Sequence, residues 1–358
     1  MLPDSAIGFP AGHGGPTSIW RYATMIVPDG DALDWRTLSL GEGMTPMVPV
    51  NPEIAGVVVL AKLDFLMPTL SFKDRGAAVV VAAASRLGAS RLVIDSSGNA
   101  GTATAAYAAR AGIPLDVFVP AWTSPGKTAQ IEAYGAVCHR VDGDRKATEE
   151  AAIDAVANSG AFYASHVYNP LFVAGVKTFV FEMVEQLGGG VPDLVALPVG
   201  NGTMLLGAHR GFQQLRRSGA LAEEPTFLAV QAERCAPVAA AVAAGDARLV
   251  PVVNEGTVAD GIAIAAPARG NEILEVLRSR AGHVVTAAED AIGKARVELA
   301  RAGLFVEPTA AATYAGLLRW LDGSGAEWAD QVRDARGRPP VVVLPLCGAG
   351  LKAVARKY

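Results

Sequence analysis

Residues 91–120 read RLVIDSSGNAGTATAAYAARAGIPLDVFVP and contain one complete strand–helix–strand unit. Arg91–Asp95 and Leu115–Pro120 are short β-rich runs, whereas the alanine-rich segment Thr102–Ala111 reads as a helix that ends at Gly112. Two strands that are joined through a helix pair in parallel within one sheet. The stretch therefore predicts an α/β fold built on parallel strands.

The same alternation continues on both sides of this unit. It predicts mostly parallel sheets that are covered by helices on both faces, a three-layer αβα arrangement. Ligands of such folds bind at the carboxyl ends of the strands. The other predicted strands are Val57–Lys62, Val137–Val141, Leu194–Val199, Phe227–Gln231 and Val341–Leu346, and the other predicted helices are Asp74–Leu87, Thr128–Tyr134, Thr148–Asn158 and Met204–Arg217.

Composition excludes several classes of function. The chain has 358 residues, of which 51% are hydrophobic and 18% charged, and its net charge is −4. This length predicts two domains, and the absence of a basic excess predicts no nucleic-acid or membrane partner. The odd set of cysteines (Cys138, Cys235 and Cys347) predicts free thiols in a reducing cytoplasm. The amino terminus has no signal-peptide pattern, and the longest apolar runs are too short to span a bilayer.

Lys73 is the candidate nucleophile. It lies in the run SFKDRG (71–76), just after a turn and at the start of a predicted helix. The positive end of the helix and Arg75 both disfavour an ammonium ion there, which favours a nucleophilic neutral amine. Lys62 and Lys177 are rival lysines, but neither follows a comparable turn. A lone Lys-Asp-Arg is usually a solvated helix start, so the neighbouring motifs must decide.

A glycine turn, PVGNGT (198–203), follows the predicted strand Leu194–Val199. Gly200 and Gly202 permit positive φ and a close approach of the backbone, so N–H groups and the Thr203 hydroxyl can surround a phosphate. In isolation the turn is equally well an ordinary Asn-Gly loop. A lysine amine that can form a Schiff base, together with a phosphate cradle, suits pyridoxal phosphate, which carries both an aldehyde and a phosphate.

A third motif, SSGNAG (96–101), follows the strand Arg91–Asp95. Ser97 and Asn99 offer a hydroxyl and an amide beside a helix start. These groups suit a substrate carboxylate and the hydroxyl group of the pyridine ring. The predicted substrate-binding residues of this loop are Ser96, Ser97, Gly98 and Ala100.

A near match to a phosphate-binding P-loop competes with this interpretation. Residues 121–128 read AWTSPGKT, but Ala121 replaces the first glycine and Pro125 has no N–H to give. An NTPase is therefore disfavoured. The five histidines show no ligand spacing, so no metal site is expected.

Together the motifs resemble the fold-type II pyridoxal-phosphate enzymes, which form the tryptophan synthase β superfamily, and among them the threonine synthases. The resemblance runs from about Leu40 to Lys352. Besides the three motifs, it includes Leu40–Pro46, Asn169-Pro170, Lys177-Thr178, Glu182, Gln186–Gly188, Val306–Pro308 and Gly348–Lys352.

This resemblance implies the roles of the site residues. Lys73 forms the covalent bond to the cofactor, Asn99 contacts the ring hydroxyl, and Ser97 is a second catalytic residue that faces the substrate. Gly200, Asn201, Gly202, Thr203 and Met204 bind the phosphate. The resemblance also implies a large cofactor domain (1–82 and 185–358), a smaller, mobile substrate-side domain (83–184) and a homodimer.

Cys347 stands where threonine synthases have a threonine that bonds the pyridine nitrogen, as it does in some serine dehydratases of this fold type. The resemblance implies that this uncharged partner suits elimination reactions. A strand-end cysteine is otherwise usually a core residue.

Other departures concern the substrate. Phe172 and Ala263 replace two arginines of the threonine synthases, and Ala121-Trp122 replaces a basic segment. Arginine is the usual partner of a phosphate, so these replacements argue against O-phosphohomoserine as the substrate. Three functions stay open: a threonine synthase-like lyase that acts on an activated homoserine, a serine/threonine ammonia-lyase or β-replacement enzyme, and a cofactor-binding protein without catalysis. Intact Lys73 argues against the last.

Overall fold

The computed structural model describes residues 15–50, 54, 56–279 and 281–353. Within these residues the strands are β1 (Met47–Pro49), β2 (Val58–Lys62), β3 (Leu92–Ile94), β4 (Leu115–Pro120), β5 (Val137–Val141), β6 (Phe162–Tyr163), β7 (Leu194–Pro198), β8 (Thr226–Ala232), β9 (His283–Ala287) and β10 (Val341–Pro345). The α-helices are α1 (Ala23–Ile26), α2 (Trp35–Leu38), α3 (Lys73–Arg86), α4 (Asn99–Ala111), α5 (Pro125–Ala133), α6 (Arg145–Ser159), α7 (Pro170–Val176), α8 (Thr178–Gln186), α9 (Thr203–Arg217), α10 (Pro237–Ala244), α11 (Gly270–Ser279), α12 (Glu289–Arg301), α13 (Pro308–Leu321) and α14 (Ser324–Arg336). The predicted α/β class is confirmed.

The described residues form two compact units. The first unit contains the described residues up to Met44 together with Met67–Thr178, and the second unit contains Thr45–Leu66 and the described residues from Phe179 onward. These units differ from the predicted domains 1–82 with 185–358 and 83–184. The described residues before 45 and residues 67–82 fall in the first unit instead of with 185–358, and residues 179–184 fall in the second unit instead of with 83–178. Residues 67–82 fall in the first unit because α3 packs against α4 and α7. The division into cofactor and substrate domains stays a prediction.

The first unit is built on a four-stranded sheet. Its strands lie in the order β5-β4-β3-β6, and every neighbouring pair is parallel. All three residues of β3 are buried, so side chains on both faces of this strand are covered. Because β3 and β6 are parallel neighbours, the loops that follow them leave from the same edge of the sheet.

Glycines allow α3 and α7 of the first unit to approach closely. A Cβ atom on Gly76 would overlap the ring of Phe172, and one on Gly175 would overlap the carbonyl oxygen of Arg75. The ring of Phe172 therefore fills the space over the first turn of α3. This packing brings the ring to the helix start where Lys73 lies.

The second unit is built on a six-stranded sheet. The strand order is β1-β2-β10-β7-β8-β9, with β1 antiparallel to β2 and all other pairs parallel. All five residues of β7 are buried, and α13 packs along β7, β8 and β9. Since β10 lies between β2 and β7, the loops that follow β7 and β10 leave neighbouring parallel strands. Among the described residues, no helix has the length and apolar character needed to cross a membrane.

Candidate active site

Lys73 is the first residue of α3, in the first unit. Its Nζ atom lies 4.6 Å from the centroid of the Phe72 ring and 5.8 Å from the centroid of the Phe172 ring. The faces of aromatic rings attract a cation weakly and exclude water from the space around it. The predicted nucleophile thus has an aromatic environment.

The turn before Lys73 is held tightly. Asp74 accepts hydrogen bonds from the backbone N–H of Thr69 (2.8 Å) and from the Thr69 hydroxyl (2.6 Å). Leu70, between them, has a φ of +65°, and its N–H donates to the carbonyl of Met67. A branched residue in this left-handed region is strained, and such strain persists only where neighbouring contacts impose it. Asp74 and Thr69 supply those contacts, so the backbone of the turn that leads into Lys73 is held in place.

The loop Ser96–Gly98 links β3 to α4, which begins at Asn99. Ser96 and Ala100 are buried, Ser97 and Asn99 are half-buried, and Gly98 is exposed. A Cβ atom on Gly101 would overlap the carbonyl oxygen of Ser96, so the loop can fold back on the helix only with glycine there. The first N–H groups of α4 have no partner within the helix, which suits an anionic group at this end.

The predicted substrate residues and Lys73 thus belong to one unit. Asp95, immediately before the loop, is buried, and burial raises its pKa above the ordinary value. Tyr163 donates a hydrogen bond of 2.8 Å to this carboxyl group. Since Tyr163 belongs to β6, this bond joins the ends of two neighbouring strands.

His166 is a residue that sequence reasoning missed. It lies in the loop between β6 and α7, 6% of its surface is exposed, and its Nδ1 atom has no hydrogen-bond partner among the described residues. Its ring meets the Phe172 ring edge-on, with centroids 6.0 Å apart. Burial, then the positive charges of Lys73 and Arg145, hold the pKa of His166 well below its usual range. The imidazole is therefore neutral at neutral pH.

The two rival lysines are engaged elsewhere. Lys62 is fully buried in the second unit, where its Nζ atom donates to the carbonyl and hydroxyl oxygens of Thr45 (2.6 and 2.7 Å) and pairs with Glu182 at 2.8 Å. Lys177, in the first unit, donates to the carbonyl oxygens of Met25 and Ile26. Both amines thus have buried structural partners.

The glycine turn lies in the second unit, between β7 and α9. Gly202 has a φ of +75°, and a Cβ atom there would lie 2.5 Å from the side chain of Ile273. A Cβ atom on Gly200 would lie 3.0 Å from the Cα of Ile262. Neither position therefore has room for a side chain. The turn leads directly into the first N–H groups of α9, beside the buried side chain of Thr203.

Cys347 follows β10 and is buried, with its Sγ atom 3.7 Å from Oε1 of Glu307. A Cβ atom on Gly348 would overlap the Glu307 carboxyl group, so this glycine lets the carboxylate approach the chain. All three cysteines have free thiols, as expected. Sequence reasoning did not anticipate Glu307 next to the thiol.

These residues fit a pyridoxal phosphate group. The turn at 200–203 has glycine at 200 and 202, which allows the close backbone approach that a phosphate cradle requires, and it leads into a helix of 15 residues. In the first unit, the buried hydroxyl of Ser71, two residues before Lys73, has no hydrogen-bond partner among the described residues. A buried polar atom of this kind costs stability unless a ligand satisfies it. The donor set is thus chemically suitable.

Comparisons with known proteins agree with these features. A family model described as "Pyridoxal-phosphate dependent enzyme" matches residues 38–351. The chain is 36% identical over 330 residues to a threonine synthase of Mycobacterium leprae, covering 91% of this chain and 86% of that protein. It is 33% identical over 310 residues to a threonine synthase of Methanosarcina acetivorans, covering 85% and 75%.

Two solved structures show the same fold. The T.th. threonine deaminase superposes with a TM-score of 0.70 and 26% identity, covering 90% of this chain and 96% of that one. Maize serine racemase superposes with a TM-score of 0.72 at 20% identity, covering 86% and 88%.

Proposed function

Because the chain belongs to the pyridoxal-phosphate-dependent enzymes, we propose that it is a threonine synthase-like lyase. Such an enzyme removes a γ-substituent from an activated homoserine and adds water at the β-carbon. The two relatives named threonine synthase, which align over most of the chain, support this reaction. The cofactor is pyridoxal phosphate, which stabilises carbanions as an electron sink when it is bound.

The residues of this chain then have distinct tasks. Lys73 would form the covalent link to the cofactor, and its free amine would move a proton at the substrate's Cα. The turn Gly200–Thr203, with Met204, binds the phosphate, and Asn99 contacts the ring hydroxyl. Ser97, with Ser96, Gly98 and Ala100, receives the substrate carboxylate at the start of α4. Cys347 is the uncharged neighbour of the ring nitrogen.

The observation that carries the proposal is the position of Lys73 at the start of α3, with its Nζ atom 4.6 and 5.8 Å from the centroids of the Phe72 and Phe172 rings. Lys62 and Lys177 donate to buried structural partners, which argues against either as the cofactor lysine. Borohydride reduction of the yellow holoenzyme, followed by peptide mapping, is expected to place the cofactor on Lys73. Lys73→Ala is expected to prevent the reduction product. An adduct on Lys62 or Lys177 would refute the assignment.

The second candidate is a serine/threonine ammonia-lyase or a β-replacement enzyme. The ring of Phe172 favours this second candidate, because its centroid lies 5.8 Å from the Nζ atom of Lys73 and the ring presents no cation to a phosphate. A dianion that loses water without arginine partners is destabilised by several kcal/mol. O-Phosphohomoserine is therefore expected to turn over poorly, and a less charged activated amino acid, serine or threonine better.

Steady-state kinetics separates the two candidates. Release of a 2-oxo acid and ammonia from serine or threonine supports the second candidate, as a serine/threonine ammonia-lyase. Phosphate release from O-phosphohomoserine at ordinary enzyme rates, with no 2-oxo acid from serine or threonine, supports the threonine synthase. We also propose that the protein is a homodimer, which light scattering tests, and that it is cytoplasmic, which cell fractionation tests. The absence of a disulfide between its three cysteines is compatible with a reducing compartment.

A further inference from the structure

His166 lies in a segment that leaves the sheet next to the loop Ser96–Gly98. It lies in the segment Ala164–Asn169, which follows β6, whereas Ser96–Gly98 follows the neighbouring parallel strand β3. Ser165, just before it, accepts hydrogen bonds from the N–H groups of Val167 and Tyr168, each 3.2 Å long. The backbone that carries His166 is therefore held on both sides of this residue.

The unpartnered Nδ1 atom needs an explanation. Histidine is the kind of residue that usually finds a partner when buried, and a buried polar atom without one costs stability. The His166 ring contacts the Phe172 ring, whose centroid also lies 5.8 Å from the Nζ atom of Lys73, and the positive charges of Lys73 and Arg145 act on the imidazole. A hydrogen-bonding group brought by a ligand beside Lys73 would satisfy this atom.

The chemistry of an amino-acid substrate restricts which group this can be. The substrate amine is taken by the cofactor, and its carboxylate finds better partners in the N–H groups at the start of α4. An imidazole that stays neutral is a weak partner for a carboxylate or a phosphate dianion, but a suitable one for an uncharged oxygen. The oxygen on the substrate side chain is the group that remains.

We propose that His166 is a specificity-determining residue, whose Nδ1 atom hydrogen-bonds the oxygen on the side chain of the amino-acid substrate bound beside Lys73. The proposal rests on the proposed function, since it requires the cofactor to be carried at Lys73 and the substrate amine to take the place of the lysine amine there. It names the substrate class more narrowly: amino acids with an uncharged or weakly charged oxygen substituent, rather than a phosphate dianion.

The test compares two isosteric ligands, L-homoserine and L-norvaline, which differ in one hydroxyl group. Their dissociation constants are measured on the holoenzyme by titrating the absorbance of the bound cofactor, so no turnover is needed. The unmodified enzyme is expected to prefer L-homoserine by roughly three- to tenfold, the effect of one neutral hydrogen bond. His166→Leu is expected to erase this preference.

Two further variants identify the atom. In His166→Asn the amide occupies the position of Nδ1, so the preference for L-homoserine is retained; in His166→Gln the amide reaches the position of Nε2, so the preference is lost. His283→Asn is the control, because burial also lowers the pKa of this histidine, but it lies in β9 against Trp320. It is expected to leave the ligand preference unchanged.

A thermal measurement separates this role from a structural one. His166→Leu removes an unpartnered polar atom from a buried position, so the melting temperature without amino acid is expected to stay the same or to rise. A lower melting temperature together with an unchanged ligand preference would overturn the proposal, as would equal affinities of the unmodified enzyme for both ligands. Borohydride mapping to a lysine other than Lys73 would instead refute the proposed function.

Discussion

The hydroxyl group of Tyr163 donates a 2.8 Å hydrogen bond to Oδ1 of Asp95, where β3 gives way to the loop Ser96–Gly98. Burial of the Asp95 carboxyl raises its pKa, and the hydrogen bond from Tyr163 and the charge of Arg145 only partly oppose this effect. The folded protein therefore binds a proton at Asp95 more tightly than the unfolded chain does. At neutral pH, the ionised carboxylate of Asp95 therefore lowers the stability of the folded protein.

Asp95→Asn is expected to stabilise the protein at neutral pH, by about 1 kcal/mol. Because the pKa is raised on folding, the contribution of Asp95 to stability is greatest below the unfolded pKa and is lost as pH rises through the folded pKa. Asparagine does not titrate and still accepts the bond from Tyr163. Denaturant unfolding between about pH 3 and pH 8 should therefore show an advantage of the variant that grows with pH.

Asp116 is the matched control for this experiment, because its pKa is shifted in the opposite direction on folding. Burial acts to raise the pKa of Asp116, but hydrogen bonds from His139 and Arg91 outweigh burial and lower it. Asp116→Asn should therefore lose stability at neutral pH, and the difference should shrink as pH falls through the folded pKa. A stability difference for Asp95→Asn that declines as pH rises would contradict the assignment.

Gly202→Val is expected to weaken cofactor binding by roughly tenfold or more, since the side chain would require both a strained positive φ and displacement of Ile273. Equilibrium dialysis against pyridoxal phosphate measures the loss. Gly219→Ala is the control, because Gly219 has a φ of +76° but open space around it. It should reduce stability slightly and leave the affinity for the cofactor intact. An unchanged affinity for the cofactor in a folded Gly202→Val protein would show that the turn does not bind the phosphate.

Leu70 offers a test of the strain before Lys73. At a position with a φ of +65°, glycine should be more stable than alanine by about 1 kcal/mol, so Leu70→Gly should unfold at higher denaturant concentration than Leu70→Ala. The order should reverse at Ala240, an exposed residue within α10, where Ala240→Gly is expected to destabilise by roughly 0.5–1 kcal/mol. If Leu70→Ala is the more stable of the pair, the turn is not strained.

The buried ion pair of Lys62 and Glu182 provides a further prediction. Lys62→Met leaves the carboxylate of Glu182 buried without its cation and should lower the free energy of unfolding by about 3–5 kcal/mol. The double variant Lys62→Met/Glu182→Met should recover most of this loss. Chemical denaturation measures the loss and recovery of stability. Peptide mapping checks that the borohydride adduct remains on Lys73 in both variants.

Seven of the ten strands that the structure describes could be predicted, because strands such as Leu194–Pro198 are continuous apolar runs between turn residues. Of the fourteen α-helices in the described residues, the five that correspond to α3, α4, α5, α6 and α9 were predicted. Several helices begin earlier than predicted. α4 starts at Asn99 and α5 at Pro125, because Gly, Asn and Pro in a first helical turn look like loop residues in a sequence. β6 has only two residues and owes its existence to pairing with β3, which no local pattern reveals.

The candidate site was predictable where chemistry depends on local sequence. A lysine before a helix and a glycine turn after a strand can be recognised from their neighbours. The contacts of His166 with Phe172 and of Glu307 with Cys347 depend on burial and on the packing of the folded chain, so no spacing signals them. The same holds for the buried bonds that occupy Lys62 and Lys177, which the sequence presents simply as rival amines.

The central position of β10 has a consequence for biosynthesis. β10 pairs with β2, from the opposite end of the chain, and also with β7, so it fills a gap inside the six-stranded sheet rather than extending its edge. While the ribosome is still translating the segment before Val341, β2 and β7 each expose an unsatisfied edge. The first unit, whose sheet uses only residues 92–163, can complete its strands much earlier. We therefore expect the nascent chain to need protection from aggregation until β10 emerges.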